Sequence, residues 1–395
     1  MFHCPKCTGN HRIHDCPQLI REMAKLSVHS SIKQDFHGAS PNVFVGKFGY
    51  PHLNVGILSP VHSSNAWLYD APRYWSQQDF SINDIMSYRL NLVNSSFKTN
   101  IKTHSKMMDL AQEIGMSCKP VDIDVSLVDK PVFRMDVDSF HTPSGPKGEL
   151  KSAILTSNPS IDRKVDKVIS DTDWNASEGL KHLYDKGYDE VFLTKLFSTG
   201  NMGVPFQRKI TPTRWSITAT DDILAKHLIE EIKMYDQKSH LAFFGQYLGN
   251  YYIILLIPDI WSYELFEMHV GGTEIYTDYE DYEGRKDYAT QTVGGYYAAR
   301  LPILEKLTAM KCQASVLAIR FIAPEYTLPL GVFVVREAVR KCMKAIPIEF
   351  SSKELMLTYA THLAKRKFGY DLSPLLGSSK ILRRMKEQKK LWEFH

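Results

Sequence analysis

Asn42-Val-Phe-Val-Gly46-Lys-Phe-Gly49-Tyr-Pro51-His-Leu-Asn-Val-Gly-Ile-Leu58-Ser-Pro60 holds two apolar, partly alternating runs split by Gly-Tyr-Pro. Alternation at period two sends successive side chains to opposite faces, and Gly and Pro punctuate turns, so this stretch predicts a β-hairpin. On its amino-terminal side, 19–26 predicts a short helix and 27–38 a polar linker. On the other side, Ile82, Ile85, Met86 and Leu90 recur at helical spacing within 80–94, as do Met107, Met108 and Leu110 within 101–114. Val121-Asp-Ile-Asp-Val-Ser-Leu127 and Val132-Phe-Arg-Met-Asp136-Val-Asp138 return to strand-like alternation.

The later half repeats the mixture. A helix is expected over 165–188, with Val168, Ile169, Leu180 and Leu183 buried and Gly187 as its stop, followed by a short apolar element at 191–197. A helix over 223–234 is expected to be capped by Thr220 or Asp221. Leu248–Ile257 predicts a buried strand, 261–268 carries Glu264 and Glu267 at helical spacing, and 312–321 and 328–335 predict further strands. Helices are expected at 294–307, 336–343 and 353–367. Helices and strands interleave without the regular alternation of a doubly wound sheet, which argues for an α+β fold built on a mixed sheet. The expected divisions are an amino-terminal knuckle and helix at 1–26, α+β portions at 39–159 and 160–370, and a basic helical or flexible tail at 371–395.

The 395 residues, 44% hydrophobic and 23% charged, suffice for a large core, and a net charge of +4 is too small to announce a nucleic-acid binder by itself. No run of about twenty apolar residues suggests a membrane span, and the first residues lack signal-peptide character. A cytoplasmic protein is therefore expected. Three of the six cysteines crowd into the first sixteen residues, which is metal-site spacing and not a disulfide framework.

Cys4-Pro-Lys-Cys7 supplies two thiolates from one tight turn, and Cys16 with one histidine completes four ligands for Zn2+. His11 leaves a longer loop to Cys16 than His14 does and is the favoured fourth ligand, with His14 as the alternative. Asp122 and Asp124 share one strand face, and Asp136 and Asp138 share another. If those strands are neighbours, four carboxylates converge as in metal-dependent nucleases; otherwise they line a solvated sheet face. Arg214-Trp215 precedes Asp221-Asp222, and helix capping accounts for the acids but not for the Arg-Trp pair.

The chain ends Gln388-Lys-Lys-Leu391-Trp-Glu-Phe394-His395. A glutamine, an aliphatic plug three residues on and an aromatic three beyond that fall on one side of a short helical turn, the pattern of a peptide that docks on a replication sliding clamp. His395 stands where that pattern usually has a second aromatic. Just before it, Lys380, Arg383, Arg384 and Lys386 form a basic run that is either a nucleic-acid contact or a solvated helix face.

Several segments together resemble the archaeal Nre family of DNA repair proteins: the knuckle ending Cys16-Pro17, Pro212-Thr-Arg-Trp-Ser-Ile-Thr-Ala-Thr-Asp-Asp222, Tyr247-Leu-Gly-Asn250, Glu283-Gly-Arg-Lys-Asp-Tyr-Ala289 and Gly294-Gly-Tyr-Tyr-Ala-Ala-Arg-Leu301. The resemblance implies a role in DNA damage repair at the nucleoid, with the terminal motif of Gln388, Leu391, Phe394 and His395 binding PCNA, the archaeal clamp. A histidine at the metal knuckle departs from family members that carry cysteine there. The resemblance assigns no reaction, so three classes stand: a repair factor that binds DNA or proteins without chemistry, a metal-dependent nuclease or phosphodiesterase, and a nucleotide-using transferase. Convergence of the candidate residues Arg214, Asp221, Asp222, Glu264 and Arg285 in one cleft would favour chemistry.

Overall fold

In this computed structural model the described residues are 32–61, 64–132 and 145–387, with the backbone of 2–3 and 10–11. β1 (Phe2–His3) and β2 (Asn10–His11) pair antiparallel. The expected helix at 19–26 and the segment bearing Asp136 and Asp138 lie outside the described residues. The chain packs as two units, one running to Leu224 and taking in Thr327–Gly331, the other comprising Ala225–Tyr326 and the chain from Val332. The division falls at 224/225 and not near 159.

The first unit is built on β3 (Asp35–Ser40), β4 (Asn42–Val45), β5 (His52–Pro60), β6 (Leu92–Asn100), β7 (Val121–Leu127) and β8 (Lys147–Leu155), in the order β3-β7-β8-β6-β5-β4. The expected hairpin is present as β4 and β5, with Val43, Val45, Leu53, Val55 and Ile57 on the buried face. The end of the supposed polar linker is β3, which alternates exposed and buried residues before Pro41. β3 and β4 are opposite edges of the sheet, yet only Pro41 separates them, so the sheet must roll until its edges meet. Gly38 permits that closure, because a Cβ there would stand 2.2 Å from the Pro60 carbonyl oxygen. Ser40 Oγ donates to Leu58 O at 2.9 Å across the same seam.

Around this sheet stand α1 (Pro72–Gln77), α2 (Ile82–Arg89), α3 (Lys106–Met116), α4 (Arg163–Ser170), α5 (Ala176–Asp185), α6 (Glu190–Ser198) and α7 (Thr213–Ile232). The single helix expected over 165–188 is broken into α4 and α5, because Asp171 caps the intervening turn by accepting from the Asp173 and Trp174 amides. Gly187, at φ 93°, ends α5 as expected. The apolar element at 191–197 is α6. α7 begins ten residues earlier than the spacing suggested: Pro212 O accepts from the Trp215 and Ser216 amides, so Thr220 and Asp221 are buried mid-helix and not caps. Pro needs no amide partner at a helix start, and it outweighed the Thr-rich run that reads as loop.

The second unit orders its strands β12-β11-β13-β10-β9-β14, with β9 (His240–Tyr247), β10 (Asn250–Ile257), β11 (Ser262–His269), β12 (Ile275–Glu280), β13 (Ser315–Ile322) and β14 (Ile348–Phe350). Only β11 and β13 pair in parallel. The segment 261–268 is strand β11 and not a helix, so Glu264 and Glu267 point to opposite faces. The expected strand at 328–335 is absent; its second half opens α9 (Phe333–Lys344). On one face of the sheet, Ile253, Leu255, Phe266, Leu317 and Ile319 pack with α10 (Lys353–Phe368), α11 (Ser373–Ser378) and α12 (Lys380–Glu387) through Met356, Ala360, Leu375, Ile381 and Leu382. The other face takes α9 and carries the polar residues that meet α8 (Val293–Met310). The body is thus α+β, as expected, but its carboxyl-terminal helix belongs to the packed core.

Gly245 on β9 lies directly beneath α9, where a Cβ would stand 2.5 Å from the Cys342 Cα. Gly245→Ala is expected to lower the unfolding free energy by ~1–3 kcal/mol, measured by urea titration. A change within about 0.5 kcal/mol, the range of neutral surface substitutions, would show that the helix can back away.

Candidate functional site

The residues singled out from sequence divide between the two units. Arg214, Asp221 and Asp222 lie on α7 in the first unit, whereas Glu264 and Arg285 belong to the second. Glu264 is buried at the start of α12, accepting from Ser379 Oγ at 2.6 Å, the Lys380 amide at 3.0 Å and the Ile381 amide at 3.2 Å. A carboxylate there satisfies helix-end N–H groups. Arg285 pairs with Asp278 at 2.8 Å and donates to the carbonyls of Tyr279, Asp287 and Tyr288, which ties down its own loop. Asp124 pairs with His37 at 2.8 Å on the exposed sheet face, the solvated alternative to a metal cluster. Among the described residues no group of His, Cys, Asp and Glu is arranged to hold a metal ion. Cys4, Cys7, Cys16 and His14, the His11 side chain and Gln388 to His395 lie outside the described residues.

The basic run resolves residue by residue. Arg384 pairs with Asp259 at 2.6 Å and donates to Ser315 Oγ at 2.9 Å, so it anchors α12 to the sheet. Lys380 Nζ stands 5.6 Å from the centre of the Tyr279 ring. Arg383 and Lys386 remain on the outward side of the helix from the buried Ile381 and Leu382.

Two arrangements stand out instead. In the first unit a cavity of about 290 Å³ is walled by Trp67, Tyr74 and Phe192, with Arg73 and Cys118 at its sides and Lys195 within its lining. Trp67 and Tyr74 meet edge to face with ring centres 4.9 Å apart, and both stay partly exposed. Arg73 pairs with the buried Glu190 at 2.5 Å, and Asp70 accepts from Arg89 at 2.7 Å. Lys195 Nζ donates to Ser117 O at 2.7 Å and Pro41 O at 3.4 Å. Burial brings its amine down to about 8, against the opposing pull of Asp70, Cys118 and Asp189. An amine so placed is partly neutral near physiological pH, when it can act as a nucleophile or base, and in its charged form it suits an anionic group on a flat ligand. One signal in the sequence points to it: Lys195 sits between Leu193 and Leu196 on the apolar side of a helix.

In the second unit a charged network is sealed between sheet and helix. Arg320 donates to Glu267 at 2.5 Å and to Asn250 Oδ1 through both Nε (3.1 Å) and Nη2 (2.5 Å). Arg300 pairs with Glu280 at 2.5 Å, its guanidinium 5.4 Å from the Tyr296 and Tyr297 ring centres. Asp278 Oδ2 accepts from the Gln291 and Thr292 amides and the Thr292 hydroxyl, filling the position at the start of α8 that a phosphate would otherwise suit. Burial pushes the Tyr252 and Tyr263 hydroxyls well above the usual tyrosine range, so both remain protonated.

Comparison with known proteins matches residues 12–274 to "Archaeal Nre, N-terminal" and 280–394 to "Archaeal Nre, C-terminal". The chain belongs to the archaeal Nre family. It is 34% identical to the DNA repair protein NreA of Haloferax volcanii over 77% of each chain. It is 32% identical to the DNA repair protein NreB of Archaeoglobus fulgidus over 99% of each, and 33% identical to NreA of that organism over 92% of this chain and 94% of the relative. No solved structure matches it. Three of the segments that carry the Nre resemblance build the second unit's network: Asn250 holds Arg320, Arg285 holds Asp278, and Arg300 holds Glu280. Gly295 of the same motif leaves room for Glu267, whose Oε1 would lie 2.8 Å from an added Cβ.

Lys195 offers a direct test. With the protein's amines isotopically methylated, its resonance is expected to titrate with a midpoint near 8; a midpoint at the ordinary lysine value of 10.5 would show a hydrated amine. Because the folded value lies below the unfolded one, the unfolded chain binds the extra proton between about 8 and 10.5, so this group adds stability as pH rises through that window.

Proposed function

We propose that this Nre protein is a DNA repair factor that works at the chromosome in the cytoplasm and is recruited to the sliding clamp PCNA by Gln388, Leu391, Phe394 and His395. The observation that carries the repair role is family membership along nearly the whole chain, with relatives named as DNA repair proteins. The recruitment step rests on the spacing of Gln388, Leu391 and Phe394 and on what precedes them. α12 is held by Ile381, Leu382, the Arg384–Asp259 pair and the Glu264 cap, and the peptide adjoins it in sequence. A docking peptide joined in sequence to a fixed helix is tethered at one end, which limits the ordering cost of binding. The reading assigns no reaction, and the nuclease and transferase alternatives lose residues on which they relied, since Asp124, Glu264 and Arg285 have partners within the fold.

Leu391→Ala with Phe394→Ala is expected to weaken binding to purified PCNA at least about thirtyfold, the loss of a ~2 kcal/mol anchor, measured by surface plasmon resonance. The melting temperature should not move, because α12 keeps its own contacts. Undiminished affinity would overturn the recruitment step.

The amino-terminal ligands Cys4, Cys7, Cys16 and His11, or His14 in its place, form part of the same proposal as a structural Zn2+ knuckle. The donor set of three thiolates and an imidazole suits a closed tetrahedral site. Elemental analysis of the purified protein is expected to give one zinc per chain, lost in Cys4→Ser with Cys7→Ser while the two units keep their thermal transitions. Stoichiometric zinc in that double variant would refute the assignment.

A further inference from the structure

The first unit gathers cations and exposed aromatic rings on three segments at its surface. Residues 46–54, 98–106 and 204–216 contain seven Lys and Arg, two His, and no Asp or Glu. Backbone hydrogen bonds stitch them together: the Ile101 amide donates to Pro51 O at 3.0 Å and the Ile210 amide to Ile101 O at 3.1 Å. The Val45 amide donates to Thr213 Oγ1 at 2.8 Å, which fixes the start of α7 beside the hairpin. Arg208 is used internally, on the carbonyls of Gly203 and Ile169. Lys98, Lys102, Lys106 and Lys209 are exposed, and Asn54 and Lys98 face each other across β5 and β6.

Among these cations Phe48 is 77% exposed, Tyr50 50% and Trp215 47%. The Tyr50 and Trp215 rings approach to 6.0 Å with a 46° tilt, and Lys47 Nζ stands 5.0 Å from the Phe48 ring centre. Large rings in water forgo the gain of burial, so their placement here calls for a ligand with flat apolar faces and negative charge. Nucleobases and phosphates meet that description. A duplex hides base faces within its stack, whereas a single strand offers them to aromatic platforms flanked by cations. Rings tilted by 46° match bases splayed apart and not a continuous stack. Helix capping leaves Arg214-Trp215 unexplained, and this surface accounts for the indole.

The geometry points to this face, the hairpin turn with the flanking 98–106 and 204–216 segments, as a binding site for single-stranded DNA. It deepens the repair reading and rests on it only for the choice of DNA over RNA. It uses no residue of the PCNA peptide or of α12.

The test is fluorescence anisotropy with full-length protein and a fluorescein-labelled oligothymidylate, a DNA duplex of the same length and the matching RNA. Single-stranded DNA is expected to bind tightest, with Phe48→Ala, Tyr50→Ala and Trp215→Ala each weakening it about tenfold. Lys102→Glu with Lys209→Glu should weaken it further and flatten its salt dependence, while Lys386→Glu on α12 leaves it unchanged. Circular dichroism checks that the variants, all at exposed positions, stay folded. Equal or tighter binding of duplex or RNA, wild-type affinity in the three aromatic variants, or displacement of the oligonucleotide by polyglutamate would overturn the inference. Protein lacking 388–395 should bind the strand as the full chain does, so failure here and failure of PCNA recruitment are read separately.

Discussion

Guanidinium groups do not lose their proton in proteins, so one sealed away from water must be met by a carboxylate. In the second unit that requirement sets the arrangement of sheet and helix. Arg320 on β13 reaches Glu267 on β11 and Asn250 on β10; Arg300 on α8 reaches Glu280 on β12. Each bond links a different pair of elements, and together they define which strand neighbours which and how deep α8 sits. Such pairs add little net stability, because desolvation offsets attraction, but a structure that misplaced one partner would strand the other at a cost of several kcal/mol. The constraint is therefore one of specificity. It explains why glycine is needed at Gly295, where a side chain would collide with Glu267.

Much of this was legible where the chain's periodicity was clean. The β4–β5 hairpin, β7 with its Asp-Ile-Asp alternation, the largely apolar β10 and the helix following Gly294-Gly295 are where the sequence put them. Three of the failures share a cause: polar residues inside elements. Glu264 and Glu267 sit three apart and mimic a helical face, yet each is buried on its own side of β11 because a partner waits there. Thr220 and Asp221 read as caps of a later helix, although Pro212 had already started α7. β3 read as linker because Asp35, His37 and Gly38 dilute its apolar face, and only the requirement to close the sheet against Pro60 makes sense of the glycine.

The candidate site was less legible than the fold, for a related reason. Sequence reading favours conspicuous groupings such as paired acids or an Arg-Trp pair, whereas the first unit's cavity draws on residues from four separated stretches around Pro41, Trp67, Cys118 and Lys195. No spacing rule joins them. Conversely, Arg285 and Glu264 look chemical in sequence and are architectural in three dimensions. The Arg-Trp pair was the better clue, since its indole does stand in solvent beside Tyr50.

The rolled sheet of the first unit also bears on how the protein behaves before it meets any partner. An ordinary open sheet offers two rims of unpaired backbone amides and carbonyls, each a template for another chain to add a strand. Here the rims at β3 and β4 turn towards one another across Pro41, so a neighbouring molecule finds few vacant donors to extend. In the second unit the rim at β14 is three residues long, and on the six-residue rim at β12 the Thr277 amide already donates to Gln291 Oε1 at 3.0 Å. A protein that must keep aromatic rings in water can tolerate them because its backbone gives aggregation so little to build upon.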